Sequence, residues 1–263
     1  MTPRSRQVLV LVAAVLAVAL TLSLGRWQLH RADEKLARQA AVGERDALPA
    51  LGVTALPCGV QADAGLIMNR RVVLQGQWLP QHTWLLDNRA MDGRAGFYVV
   101  TALQVKRPGP CAAQVLLVQR GWVPRNAQNR AQIPPFSTPA GPVQLLGRLV
   151  PDLSRAYSLG ADLALPASSG PAIVQNIDFA TLPAVMGRAV APPVVLQLQP
   201  ETSLSGQVVS EASGFLLRRD WPALASDVGK HHAYAVQWFA LAALITGLYV
   251  WFQLLSPLRR RTR

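Results

Sequence analysis

Two uncharged apolar runs stand at opposite ends of this chain, and they limit its fold more than any other feature. Val8 to Leu24 gives seventeen residues without a charge, and Ala233 to Leu255 gives twenty-three, with Gln237 and Gln253 as its only amide side chains. A helix needs about 20 residues to cross the hydrocarbon core, so the second run is ample and the first just sufficient. Arg4 and Arg6 precede the first run, and Arg259, Arg260, Arg261 and Arg263 follow the second. The positive-inside bias then puts both termini in the cytoplasm and everything between the spans outside.

The expected layout is a cytoplasmic N-terminus (1-7), a first transmembrane helix (8-25), an exported domain (26-230), a second transmembrane helix (231-255) and a cytoplasmic basic tail (256-263). A rival reading of the N-terminus is a cleaved signal peptide, because a basic start and small-x-small at Ala17-Val18-Ala19 fit that template. Against it, the apolar run continues to Leu24, and Arg26, Trp27 and His30 supply the belt expected where a helix leaves a bilayer.

A net charge of +12 raises the question of nucleic acid, but six of those charges are the flanking arginines. The remaining +6 is scattered, with no basic stripe interleaved with aromatics. The charge therefore reads as topology and attraction to the lipid bilayer, with no nucleic-acid partner. Cys58 and Cys111 both lie in Pro/Gly contexts of the exported segment, where an even pair reads either as a disulfide or as two free thiols. No C-x-x-C pair is present to carry copper or zinc.

The exported segment of 205 residues is long enough for one sizeable core. His30 to Leu48 is polar, rich in Ala, Arg and Glu, and free of proline, so it reads as a helical stalk continuing the first span. From Arg70 onward the texture is of short β-type runs: Arg71–Trp78, Thr83–Leu86, Phe97–Leu103, Val115–Gln119 and Val143–Val150. Asp87-Asn88-Arg89 and Asp92-Gly93-Arg94 read as turns, and Lys106 to Ala112 as a hairpin-like loop. Between Pro151 and Pro193 the signal weakens, with a short helix expected over Ile177–Met186, and then Val194–Leu198 and Gly214–Arg218 read as strands. The fold class is thus an α+β membrane protein in which two transmembrane helices flank a β-rich antiparallel sheet or barrel-like sandwich.

No G-x-S-x-G, H-E-x-x-H or Walker loop occurs, and carboxylates such as Asp87 and Asp92 sit among turn residues. The chain does not read as an enzyme. Four histidines remain: His30, His82, His231 and His232. His82, in Pro80-Gln81-His82-Thr83, reads as a surface loop residue. His30 reads as an interfacial polar residue that shares a layer with His231 only if the two spans pack side by side.

The pair at the second span differs because of its spacing. His231, Tyr234, Trp238, Ile245, Tyr249 and Phe252 recur in steps of three, four or seven, which puts one imidazole above a column of aromatic surface. A flat apolar cofactor with one metal-seeking centre suits that stripe. His232 is about 100° further round, so the two histidines cannot readily bind one metal from the same side. The helix N-terminus disfavours imidazolium and leaves a ring nitrogen free for metal. Alone, the same residues read more readily as interface anchors than as a cofactor site.

Three blocks resemble the Surfeit-locus family of cytochrome c oxidase assembly proteins. Gly25-Arg26-Trp27-Gln28-Leu29-His30-Arg31 is similar to the family's Gly-x-Trp-Gln-x-x-Arg signature outside the first span. The second block runs from Arg71 through Leu85-Leu86-Asp87-Asn88-Arg89 and Gly96-Phe97-Tyr98 to Arg120-Gly121-Trp122-Val123-Pro124. The third, His231-His232-Ala233-Tyr234-Ala235-Val236-Gln237-Trp238-Phe239, resembles His-x-x-Tyr-Ala-x-x-Trp-Phe. Lys230 and Ala102 depart from the usual Asn and Pro.

The resemblance implies a bacterial inner (cell) membrane protein with a periplasmic domain, a non-enzymatic chaperone of respiratory chain biogenesis. It implies transient binding of haem a and help with its insertion into cytochrome c oxidase subunit I, with haem a synthase as a further partner. By its spacing to Tyr234 and Trp238, the axial ligand to the haem iron is His231, with His232 in reserve. Trp27 and Trp238 are expected to give flat apolar walls, and Arg26, Arg31 or Lys230 to pair with the propionates. Arg120-Gly121-Trp122 reads as core turn rather than contact surface. An alternative is a structural scaffold that stabilises oxidase subunits without binding haem. A two-span sensor is disfavoured because only eight residues follow the second span.

Overall fold

The computed structural model describes residues 2–57, 65–109, 111–158, 165, 170–188, 190, 192–209, 217–222 and 228–256. The chain divides into two compact units, Met1–Ala41 with Pro222–Arg263, and Val42–Trp221. The flanking arginines 259, 260, 261 and 263 lie outside the described residues.

In the first unit, α1 (Pro3–Ala47) begins and α3 (Val228–Tyr249) follows, the latter extended by a wider π-helical turn over Val250–Leu255. Both are long and apolar enough to cross a membrane. Polar atoms inside them are satisfied locally. Thr21 and Thr246 each donate an Oγ1–H to the carbonyl four residues back, at 2.9 Å, which lets a hydroxyl sit in an apolar layer. The last residues of α1 belong to the second unit, where Asp46 pairs with Arg148 at 3.0 Å.

The second unit is a seven-stranded sheet: β1 (Arg71–Met91), β2 (Arg94–Val105), β3 (Val115–Pro124), β4 (Pro142–Val150), β5 (Ala172–Val174), β6 (Val194–Gln197) and β7 (Thr202–Ser203). The pairings β1–β2, β2–β3, β3–β6, β6–β4 and β4–β1 close a ring. A closed ring has no open edge within it and encloses its own core. The sheet is mixed rather than purely antiparallel, because β1–β5 and β3–β6 run parallel. Parallel partners cannot be joined by a tight hairpin, and in both pairs other strands lie between the partners in sequence.

Three bulges decide which side chains face inward. Along β1 the register jumps between Leu79 and Thr83, so Pro80, Gln81 and His82 have no partners on β2. A proline that cannot donate to a ladder is tolerated there, and the two runs expected separately become one strand. A second jump between Leu86 and Arg89 places Asn88 at φ 60°, so this stretch is a bulge within β1 and not a turn. The true turn is the two-residue Asp92-Gly93 loop, with φ 50° and 74°, which suits a tight hairpin. The third bulge is Arg120, which has no partner on β2 between the Val99–Gly121 and Val100–Gln119 pairs. It flips the alternation of β3: Leu116, Val118 and Arg120 face the ring interior, and Trp122 faces out.

The interior core gathers Val72, Leu74 and Trp78 with residues from all four other ring strands. A second core covers the outer face, where Trp84, Tyr98, Leu117 and Trp122 pack under Leu153, Ile177, Leu182 and Met186. The five-residue α2 (Leu182–Met186) is shorter than expected. Asp178 holds the preceding segment in a turn, accepting from Ala180 N at 3.0 Å, and Gly187 ends the helix at φ 65°. Of the expected strand 214–218, residues 214–216 lie outside the described residues, and Arg218 forms a single bridge to Trp122. Cys111 is disulfide-bonded, and Cys58, the other cysteine, lies outside the described residues.

Candidate functional site

The two apolar helices pack through small residues. On α1, Thr21, Gly25 and Ala32 are buried and Leu24 and Gln28 partly so, a spacing of three, four and seven that marks one face. On α3 the corresponding face is His231, Ala235, Trp238, Phe239, Ala242, Ile245 and Tyr249, with both alanines buried. A Cβ placed on Gly25 would lie 2.6 Å from the Phe239 ring, so only glycine permits this approach. Without a hydrophobic effect between helices in lipid, such close backbone contact is what holds them.

One polar contact crosses this interface: His231 Nδ1 lies 2.7 Å from Gln28 Oε1. An amide oxygen only accepts, so this contact calls for a proton on Nδ1, which in a neutral imidazole leaves the lone pair on Nε2. The two residues lie where the apolar run of α1 has ended and that of α3 is about to begin. Passing from Gly25 to Gln28 on α1 leads from Phe239 back to His231 on α3, so the helices run antiparallel.

The structure sorts the sequence-selected residues. His231 is on the packed face, partly buried, and His232 is exposed. Trp238 is partly buried, whereas Trp27 and Tyr234 remain 53% and 52% exposed. The aromatic column on α3 is therefore divided: Trp238, Ile245 and Tyr249 belong to the packed face, while Tyr234 and Phe252 stay outside it. Arg31 is held by Glu34 at 2.7 Å, and Arg26 has no ion-pair partner among the described residues. Glu34 also takes His30, at 3.3 Å. Although the spans do pack together, His30 lies about 200° round α1 from Gln28, away from His231.

Gln28 and Phe239 lie within the resembling blocks but outside the set of residues that the spacing on α3 selects. The period of small and polar residues at Thr21, Gly25, Gln28 and Ala32 was the available signal for that face.

The other concentration of charge belongs to the fold. Arg120 and Glu201, both fully buried, pair at 2.7 Å, and Arg120 lies 4.6 Å above the Trp78 ring. Arg219 reaches the same carboxylate at 3.3 Å and Gln197 donates to it at 2.6 Å. Burial alone would raise the Glu201 pKa, but the Arg120 charge and the Gln197 hydrogen bond outweigh it and hold the carboxyl below its ordinary range. Asp87 is likewise paired, with Arg130 at 2.7 Å and Arg125 at 3.4 Å. Trp122, 1% exposed, donates its indole N–H to Arg89 O at 2.9 Å. It is core, as expected, though in a strand rather than a turn. His82 stacks on Trp84 within the β1 bulge instead of standing in a loop. Among the described residues no group of three or more histidine, cysteine or acidic side chains could hold a metal ion.

Two helices apolar enough to span a membrane, with a mixed β ring between them in sequence and one imidazole bonded across the helix pair, are consistent with a two-pass α+β membrane protein. The sequence model of the SURF1 family matches residues 15–243, and the chain belongs to that family. The family is one of assembly factors linked to cytochrome c oxidase. No curated protein matches the sequence closely enough to count as a relative.

Proposed function

We propose that this protein holds haem a on its helix pair and assists its insertion into subunit I of cytochrome c oxidase. The observation that carries this reading is the His231–Gln28 hydrogen bond, which in a neutral imidazole would leave Nε2 free to bind iron. Family membership supplies the oxidase, and the donor set fits the cargo. Trp27 and Tyr234 keep exposed ring surface for a flat macrocycle, with Trp238 at the edge of the packed face. Arg26, with no ion-pair partner among the described residues, would be available to a propionate, and Arg31 would be so only by sharing or leaving Glu34. Haem a would bring an iron that takes nitrogen donors, and His231 would supply one. His232, a turn-edge neighbour pointing elsewhere, is the reserve ligand.

A carrier of this kind holds and hands over. One imidazole in a partly exposed setting binds without enclosing, which leaves the cargo accessible to an acceptor. The topology we assign has both termini in the cytoplasm and the β ring in the periplasm of a bacterial inner membrane, following the arginines at the chain ends. Haem a synthase is the natural donor and the β domain the surface that docks subunit I. No catalytic step is needed.

The test is complementation of a deletion strain. Loss of the gene lowers oxidase activity and the haem a content of purified subunit I, wild type restores both, and His231→Ala restores neither. Full restoration by His231→Ala would favour a scaffold that stabilises subunits without touching haem. Intact oxidase in the deletion strain, with no second copy of the gene, would remove the assembly role.

A further inference from the structure

We infer that Gln28 is a positioning residue that fixes the ring tautomer of His231, and so decides which imidazole nitrogen the site presents. The inference rests on the reading of His231 as a haem ligand but concerns the protein alone. A neutral imidazole has one N–H and one bare nitrogen. In water the ring of a histidine side chain prefers to carry its proton on Nε2, the nitrogen farther from the backbone. That form would offer a metal only Nδ1, which is crowded by the side chain's own stem. The 2.7 Å contact to Gln28 Oε1 reverses the preference, because an amide oxygen is satisfied there only by a proton on Nδ1.

The contact is available because the helices are held close. Gly25 lies one turn before Gln28 on the same face of α1 and admits the Phe239 ring, with no room for a Cβ. Gln28 is partly buried, and a hydrogen bond between neutral groups carries more weight there than in open water. The bond also restricts the ring to one orientation about its side-chain torsions, which removes rotamer entropy that ligand binding would otherwise have to overcome. A ligand so prepared resembles metal-binding histidines generally, whose second nitrogen donates to an oxygen that sets tautomer and basicity.

The experiment reads the tautomer directly. Full-length protein in bicelles, with 15N-labelled histidine and no haem, is examined at mildly alkaline pH, where imidazole is neutral. Wild type should show His231 with a pyrrole-like Nδ1 and a pyridine-like Nε2; the opposite pattern in wild type overturns the proposal outright. Gln28→Leu should shift the ring toward the Nε2–H form and weaken binding of added haem a by about 10–100-fold. Gln28→Glu retains an acceptor and should keep the Nδ1–H pattern and most of the affinity. An unchanged tautomer in Gln28→Leu also overturns the role, and the wild-type spectrum decides even if that variant misfolds. If the tautomers behave as stated but His231→Ala still binds haem a with an unchanged spectrum, the ligand reading fails while the Gln28–His231 coupling stands.

Discussion

Removing Glu201 should damage the β ring more than removing any surface carboxylate. Its two oxygens accept from Arg120 at 2.7 Å, Gln197 at 2.6 Å and Arg219 at 3.3 Å, inside a core sealed by Trp78 and its neighbours. Glu201→Ala leaves two guanidinium groups without their counter-charge. Breaking a buried pair by deleting one partner costs about 3–5 kcal/mol. For a domain of this size each kcal/mol lowers Tm by roughly 2–4 °C, so the expected fall is roughly 6–20 °C. Thermal melts of the full chain in detergent, followed by tryptophan fluorescence, measure it.

The pH dependence has a definite sign. The folded carboxyl titrates below its unfolded value, so in the acidic range the unfolded state binds more protons and stability rises with pH. The contribution is complete above the unfolded carboxyl pKa of about 4.3 and is lost as pH falls through the folded value. Glu201→Gln should flatten that acid limb. Arg120→Met combined with Glu201→Leu should recover most of the lost stability, because replacing both charges removes the desolvation cost along with the attraction. A melt of Glu201→Ala within about 2 °C of wild type would refute the description of this cluster as a sealed ion pair.

Gly25→Leu is expected to force the helices apart, abolish the Nδ1–H signature of His231 and weaken haem a binding by at least about tenfold, with helix content by circular dichroism unchanged. Unaltered binding would mean the close approach is not needed. Trp122→Ala should cost about 3–5 kcal/mol in denaturant unfolding through lost packing alone, with the freed Arg89 carbonyl adding to it. A change below about 1 kcal/mol would contradict its place in the core.

The helical ends were legible because length and hydropathy suffice for a span, whatever its neighbours do. Alternation made a ring strand legible where it ran uninterrupted, as in the burial pattern of Val143–Val150. It failed at bulges, since an extra residue at Asn88 or Arg120 changes the facing of side chains without any change in composition. Arg120 is the sharpest case: local sequence gives no hint that a partner 81 residues away neutralises it. β5 escaped because three residues carry too little pattern, and its pairing comes from Trp84 to Leu86 opposite.

For the site, the spacing of α3 singled out His231 but treated the helix as if it stood alone. Packing against α1 turned Trp238 and Phe239 partly inward and left Tyr234 and Trp27 outward. The hydrogen bond from His231 to Gln28 joins residues 203 positions apart, a distance at which only folding brings side chains together.

The most direct measurement is the absorption spectrum of the protein purified from cells that make haem a. Wild type and His232→Ala should carry haem a bands, and His231→Ala should have lost them. Wild-type protein free of haem a, or His231→Ala and His232→Ala both retaining it with an unchanged spectrum, would contradict the assignment of His231 as the ligand that holds the cargo.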